Sequence, residues 1–224
     1  MIMAGTVYLG ENRVEKASSP VPADGILEVR GKTCPFVSRG GLKLDAALEA
    51  FAISVEGMIC ADIGSSTGGF THCLLLHGAR KVYAVDVGKG LLDASLRKDP
   101  RVDLMESVNA RYLQEKAFLE GPDLVTVDAS FISLRLLLPN ILRAAPLAPV
   151  VALVKPQFEV GKGKVGKGGI VRDNAERERA VDEVSQAAEG LGYAVAGRIK
   201  SPVTGAKGNV EFLIHLIPGK KVAK

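Results

Sequence analysis

The sequence predicts an α/β fold: a mainly parallel sheet of seven strands, helices on both faces, and a C-terminal antiparallel hairpin at the sheet edge. Three observations predict it. Short apolar runs alternate with helical patterns from about residue 38 onward. A glycine-rich turn, Cys60-Ala61-Asp62-Ile63-Gly64-Ser65-Ser66-Thr67-Gly68-Gly69-Phe70, follows the first of these runs and opens a helix. The last two apolar runs have no helix between them, so they pair as neighbours without a crossover.

The elements follow in order. Residues 1–37 stand apart, with short β-type pieces at Val7-Tyr8-Leu9, Arg13-Val14 and Ile26-Leu27-Glu28-Val29. Gly5, Gly10, Asn12, Pro20, Pro22 and Gly25 punctuate them, and a linker runs through Lys32-Thr33-Cys34-Pro35. The main domain spans 38–224. Ser38 is placed to cap a helix lined by Leu42, Leu44, Ala47, Leu48 and Phe51. Strands are predicted at Met58–Ile63, Lys81–Val85, Val102–Glu106, Leu124–Val127 and Val150–Val154. Helical patterns lie near Gly69–His77, Leu91–Lys98, Ala110–Phe118 and Phe131–Ala144. A further helix runs from its cap Asn174 to Gly190, with Gly192 just past the end. Strands Tyr193–Lys200 and Val210–Leu216 close the chain.

Composition narrows the class. Of 224 residues, 47% are hydrophobic and 24% charged, which excludes a disordered chain. Trp is absent and aromatics are 5%, which argues against an aromatic-girdled membrane barrel. Arg135, Pro139 and Pro146 interrupt the longest apolar runs, so no segment spans a bilayer. No basic then apolar leader opens the chain, and the expected location is the cytoplasm. The three cysteines, Cys34, Cys60 and Cys73, show no zinc or disulfide spacing, and the histidines form no metal-binding pair. No metal is expected.

The net charge of +4 is unevenly spread. Between Lys155 and Arg172 five basic residues face one acid, Glu159, so this stretch matches the charge of the whole chain. It contains Gly161-Lys162-Gly163-Lys164-Val165-Gly166-Lys167-Gly168, read as a mobile basic loop. Such a loop is either idle and solvated or a surface for phosphates.

The glycine turn admits three cofactors. A Walker A loop needs lysine where Phe70 stands, and a dinucleotide loop needs glycine where Ser66 stands. S-adenosylmethionine has no phosphate and needs neither. Its cationic methionyl end is served by an acid before the first glycine, Asp62. Its ribose is served by an acid ending the second strand, Asp86, 22 residues after Gly64. The bland reading is a structural turn with two solvated acids.

Several motifs carry a resemblance. Ser38-Arg39-Gly40-Gly41-Leu42-Lys43-Leu44, the glycine turn through Thr71, Val127-Asp128-Ala129-Ser130-Phe131-Ile132-Ser133 and Leu153-Val154-Lys155-Pro156-Gln157-Phe158-Glu159 resemble those of the TlyA family. Gly168-Gly169-Ile170-Val171-Arg172-Asp173 and Gly208-Asn209-Val210-Glu211-Phe212 continue the match. That family, also known by the name hemolysin A, is similar to FtsJ-type ribose methyltransferases. The resemblance implies a Rossmann-like fold and transfer of a methyl group from S-adenosyl-L-methionine to a cytidine 2′-hydroxyl of ribosomal RNA. It implies a Lys-Asp-Lys-Glu tetrad at Lys43, Asp128, Lys155 and Glu211, with Lys155 as base, Asp128 orienting it, and Lys43 and Glu211 holding the ribose. It implies a cofactor site at Asp62, Gly64, Ser65, Thr67, Gly68, Gly69, Phe70, Asp86, Asn109 and Asp128. Ribosomal RNA or ribosomal subunits would meet Arg39, Lys162, Lys164, Lys167 and Arg172. Residues 1–14 are similar to the second half of an S4 RNA-binding domain.

Competing functions have weaker signatures. Methylation of a base amine uses Asn/Asp-Pro-Pro-Tyr/Phe, and Asp128-Ala129-Ser130-Phe131 lacks both prolines. Two functions of different classes also compete, a membrane-active hemolysin and a non-catalytic RNA-binding protein. No basic amphipathic helix of the membrane-lying kind supports the first, and loss of cofactor binding would favour the second.

Overall fold

The computed structural model describes residues 7–16, 18–29, 34–161 and 163–219. Residues 1–6, Lys32 and Thr33 of the expected linker, and Lys162 of the basic loop lie outside the described residues. The chain divides into two compact units, Met1–Pro35 and Phe36–Lys224.

In the smaller unit, β1 (Val7–Leu9) lies between β2 (Asn12–Arg13) and β3 (Leu27–Val29), all antiparallel. Val7 and Val14 are buried, while Ile26, Leu27 and Val29 remain exposed. Three strands of two or three residues bury little, as their length dictates.

The larger unit holds β4 (Ile59–Ile63), β5 (Lys81–Val85), β6 (Val102–Met105), β7 (Leu124–Val127), β8 (Val150–Val154), β9 (Tyr193–Lys200) and β10 (Phe212–Pro218). Their order is β6-β5-β4-β7-β8-β10-β9. The first five run parallel, and β10 is antiparallel to both β8 and β9. The helices are α1 (Gly40–Ala50), α2 (Gly69–Leu76), α3 (Ala94–Arg97), α4 (Leu134–Ala144), α5 (Pro156–Glu159) and α6 (Asn174–Gly190).

The strands are continuous apolar runs because helices cover both faces. Side chains alternate between two cores. Val151 and Leu153 join Leu44, Leu48 and Leu74 of α1 and α2 on one face. Val150, Ala152 and Val154 join Leu138, Ile141 and Val184 of α4 and α6 on the other.

Several expected helices are shorter or start elsewhere, each for a local reason. The helix expected over Leu91–Lys98 is one turn, capped by Asp93. Carboxylates take up the chain before it, Asp86 accepting from Gly88 N at 2.7 Å and Glu106 from Gly90 N at 2.6 Å. Over Ala110–Phe118 only a 3-10 turn at Ala110–Tyr112 forms, and Lys116 takes a left-handed φ of 61°. Helix α4 begins after Phe131, whose φ is also left-handed at 64°, with Ser133 as cap. Asp173, not Asn174, caps α6 by accepting from Ala175 N. At α1 the cap position belongs to Arg39 and not to Ser38.

Strand order reverses at β4, which has β5 on one side and β7 on the other. Beyond the carboxyl ends of β4 and β7 a crevice therefore opens, and the fold delivers the glycine turn and Asp128 to it. The N-termini of α1 and α2 meet there backbone to backbone. A Cβ at Gly69 would lie 2.9 Å from Gly41 N and 2.3 Å from Ser38 Oγ. Gly69→Ala should therefore cost about 1–3 kcal/mol in denaturant unfolding. Gly121→Ala, where a Cβ would meet nothing within 4 Å, should leave the midpoint in place.

Candidate active site

Two cavities share the crevice. The first, about 290 Å³, is lined by Arg39, Lys43, the glycine turn, Asp128, Ser130, Lys155 and Thr204–Ala206. The second, about 370 Å³, is lined by Ile63, Asp86, Val87, Leu91, Val108, Asn109 and the Asp128–Ile132 segment. Gly64, Ser66, Asp128 and Ser130 line both.

The first cavity is built around one buried and one partly buried ion pair. Lys43, on α1, donates to Glu211 Oε2 at 2.6 Å. Lys155, just past β8, lies 2.6 Å from Asp128 Oδ1 and donates to Ser130 Oγ at 2.8 Å. Both lysines are 8% exposed and Glu211 is 2% exposed, so these charges are held largely away from water. The structure thus gathers Lys43, Asp128 and Lys155 around one cavity and sets Glu211 against Lys43.

The second cavity has the chemistry of a nucleoside pocket. Asp86 accepts from Ser66 N at 2.8 Å and Gly88 N at 2.7 Å, which fixes its carboxylate at the rim. Each oxygen keeps a lone pair for a diol. Val87, Leu91 and Val108 offer apolar walls for a purine. Asn109 lines it too, with its side-chain oxygen accepting from Arg111 N. Gly64 makes the junction possible: its φ is 84°, and a Cβ there would stand 2.8 Å from Asp128 O. Ser65 is 4% exposed, lines the first cavity, and its hydroxyl has no partner among the described residues. An unpaired buried hydroxyl at a cavity wall suits a polar ligand. These residues fit S-adenosylmethionine.

Residues 36–217 match the FtsJ-like methyltransferase family. The chain belongs to that family. The 16S/23S rRNA (cytidine-2′-O)-methyltransferase TlyA of Mycobacterium tuberculosis is 47% identical over 218 residues, 96% of this chain and 81% of the relative. Hemolysin A of Brachyspira hyodysenteriae is 42% identical over 219 residues, 97% of this chain and 91% of the relative. A Streptococcus thermophilus protein solved under the name of a hemolysin superposes with a TM-score of 0.85 at 45% identity, covering 98% of this chain and 81% of that chain.

Within this FtsJ-like domain the remaining expected residues take varied places. Thr67, Gly69 and Phe70 line the first cavity and not the second, and Gly68 lines neither. Asp62 lines neither and is 0% exposed, accepting from Thr71 Oγ1 at 2.7 Å and Thr126 Oγ1 at 3.2 Å. Part of the basic loop is hydrogen-bonded: Gly166 N donates to Ile170 O, and Asn209 donates to Gly169 O and accepts from Val171 N. Lys164 pairs with Glu176 at 3.2 Å, and Arg172 is exposed. Among the described residues no helix is long and apolar enough to cross a membrane. Asp45, Cys73 and His77 come within 4.8 Å of one another outside both cavities, with His77 Nε2 paired to Asp45 at 2.7 Å.

Four residues escaped the sequence reading. Ser130 and Phe131 were visible only as motif letters, yet Ser130 touches Lys155 and Phe131 is 90% exposed at the second cavity, tilted against Phe158. Glu159 is buried and accepts from Ser133 Oγ and Leu134 N, tying the segment after Asp128 to the segment after Lys155. Asn209 joins two motifs that looked separate. No spacing rule predicts a bond between residues 25 or 40 positions apart.

Burial pushes the Asp62 carboxyl up from 3.8 to about 7, with the nearby Asp128 charge adding to the effect and the threonine bonds opposing it. The folded state therefore holds a proton that the unfolded state gives up near pH 4. Stability from this group is present below pH 4 and is lost as pH rises towards 7. Asp62→Asn cannot ionise, so denaturant unfolding should show it gaining about 2–3 kcal/mol on the native chain between pH 5 and pH 8. Parallel curves for the two chains would mean that Asp62 is ionised throughout.

Proposed function

We propose that this chain is an S-adenosylmethionine-dependent rRNA (cytidine-2′-O-)-methyltransferase acting on ribosomal RNA or ribosomal subunits in the cytoplasm. The observation that carries the reading is the two Lys–carboxylate contacts at the first cavity, one of which involves Asp128, a residue that lines both cavities. Family membership and the TlyA relatives support it.

When bound, S-adenosylmethionine supplies a methyl group on a sulfonium, an electrophile that needs no further activation. The residues of the chain serve the other reactant, a 2′-hydroxyl that is a weak nucleophile. Lys155 Nζ would receive the hydroxyl proton as the oxygen–methyl bond forms and the methyl–sulfur bond breaks, leaving a neutral thioether, and Asp128 would balance the ammonium left behind. Lys43, fixed by Glu211, presents a cation to the ribose. Holding the oxygen in line supplies much of the rate. Asp86 and Asn109 hold the nucleoside of the cofactor. Gly64, Ser65, Thr67, Gly68, Gly69 and Phe70 shape the turn around its methionyl end, and Asp62 braces that turn from behind through its bonds with Thr71 and Thr126. Phe131 offers an exposed ring to RNA.

Arg39, Lys162, Lys164, Lys167 and Arg172 form the RNA surface in this reading. Residues 1–37 form a partial S4-like RNA-binding segment, a role consistent with the small three-stranded sheet, and 38–224 form the methyltransferase domain.

Two substitutions separate binding from chemistry. Asp86→Ala should weaken S-adenosylmethionine by roughly 1–3 kcal/mol in calorimetry, as loss of charged hydrogen bonds does. Lys155→Ala should keep that affinity and lose methyl transfer to ribosomal subunits. An unchanged rate in Lys155→Ala would remove it as the base.

Replacing Lys162, Lys164 and Lys167 together with alanine should weaken RNA binding and flatten its salt dependence by about 0.7–0.9 log units for each phosphate no longer neutralised. Lys164 should contribute least, because Glu176 already neutralises it. A slope left intact would put the RNA surface elsewhere.

A further inference from the structure

We infer that Ser130 is a positioning residue for the base, an inference that rests on the reading of Lys155 above. Two oxygens stand against the Lys155 amine, Asp128 Oδ1 at 2.6 Å and Ser130 Oγ at 2.8 Å. A neutral amine has two N–H groups and one lone pair. Only the Ser130 contact has hydrogen-bond geometry; Asp128 Oδ1 stands close as a charge but accepts no hydrogen bond, so the bond to Ser130 is the one that fixes how the amine turns in the wall of the first cavity. Asp128 alone leaves the amine free to turn about its own Cε–Nζ bond, and the bond to Ser130 removes that freedom.

The backbone holds Ser130 for this task. Asp128 N donates to Ile63 O at 2.9 Å, which pins the start of the segment to β4. Glu159 accepts from Ser133 Oγ and Leu134 N, which pins its end. Between them Phe131 sits at a φ of 64°, a conformation that a bulky residue adopts only when its surroundings enforce it. Ser130 also lines both cavities, the two that the reading above gives to the ribose and the methyl donor.

The experiment compares the native chain with Ser130→Ala and Ser130→Thr. With ribosomal subunits and S-adenosylmethionine, Ser130→Ala should lower kcat roughly tenfold to a hundredfold, the scale of a misaligned reacting group. KM for the subunit and the calorimetric affinity for S-adenosylmethionine should not change. Ser130→Thr keeps the hydroxyl and should restore the rate. A readout independent of activity is the nitrogen-15 relaxation of the Lys155 amino group in the chain alone. It should report a held side chain in the native and threonine forms and faster motion in the alanine form. An active native chain with an equally active Ser130→Ala overturns the role of Ser130 alone. A rate lost but not restored by threonine, or an amino group equally held in all three chains, also overturns it. A native chain that methylates no ribosomal subunit overturns the reading beneath it as well.

Discussion

Two lysine side chains withdrawn from water, each beside one carboxylate, set the conditions for everything at this end of the sheet. A buried ion pair breaks roughly even on its own, but removing one partner costs about 3–5 kcal/mol, because the other charge is left stranded. Lys43 and Glu211 come from α1 and the entry to β10, 168 residues apart. Asp128 and Lys155 follow β7 and β8. The second pair forms once β7 and β8 are paired, and the first only when α1 and the hairpin are seated as well. That explains why β10 is inserted beside β8 and not left at the edge: the register Phe212↔Val154 brings Glu211 level with Lys155.

The same constraint accounts for the backbone irregularities. The parallel strands are stiff and buried, so the freedom needed to aim side chains is confined to the turns that follow them. Gly64 lets Asp128 approach the end of β4, and Phe131 bends the chain back before α4 can begin. Glu159 then closes the segment. Burial raises its carboxyl above the ordinary range, while bonds from Ser133 and Leu134 and the charge of Arg135 lower it. A carboxylate at a helix start satisfies free amides and meets the favourable end of the helix dipole. Here it also ties the turn bearing Ser130 to the turn bearing Lys155.

The seven strands, the edge hairpin and the crevice at the glycine turn were legible in the sequence, because each rests on apolar periodicity or on glycine in a fixed place. Lys81–Val85, Leu124–Val127, Val150–Val154 and Tyr193–Lys200 have the bounds that the pattern implied. The helices over Leu91–Lys98 and Ala110–Phe118 were misjudged, because tertiary carboxylate–amide bonds and a left-handed residue outweigh local propensity. The resemblance named Lys43, Asp128, Lys155 and Glu211 together, but not the contacts Lys43–Glu211 and Lys155–Asp128, which need the fold. Asp62 shows the opposite case. Its place before Gly64 suggested a direct ligand, and the alternation of β4 turns its side chain into a fully buried site between Thr71 and Thr126.

The basic loop connects to this arrangement through Asn209. Its amide donates to Gly169 O and its oxygen accepts from Val171 N, so the loop is fastened to the lead-in of β10. Two residues later, Glu211 fastens Lys43. In an extended chain, residues two apart face the same side, so one short run of backbone carries both contacts. Asn209 is 3% exposed and Glu211 2%, which leaves neither side chain free to turn without losing buried hydrogen bonds. The loop that bears Lys164 and Lys167 and the cation that faces the cavity are therefore held by one rigid segment. A phosphate bound at the loop and a ribose in the first cavity would rest on a common support, and the distance between them is set by the β10 lead-in and not by a flexible tether.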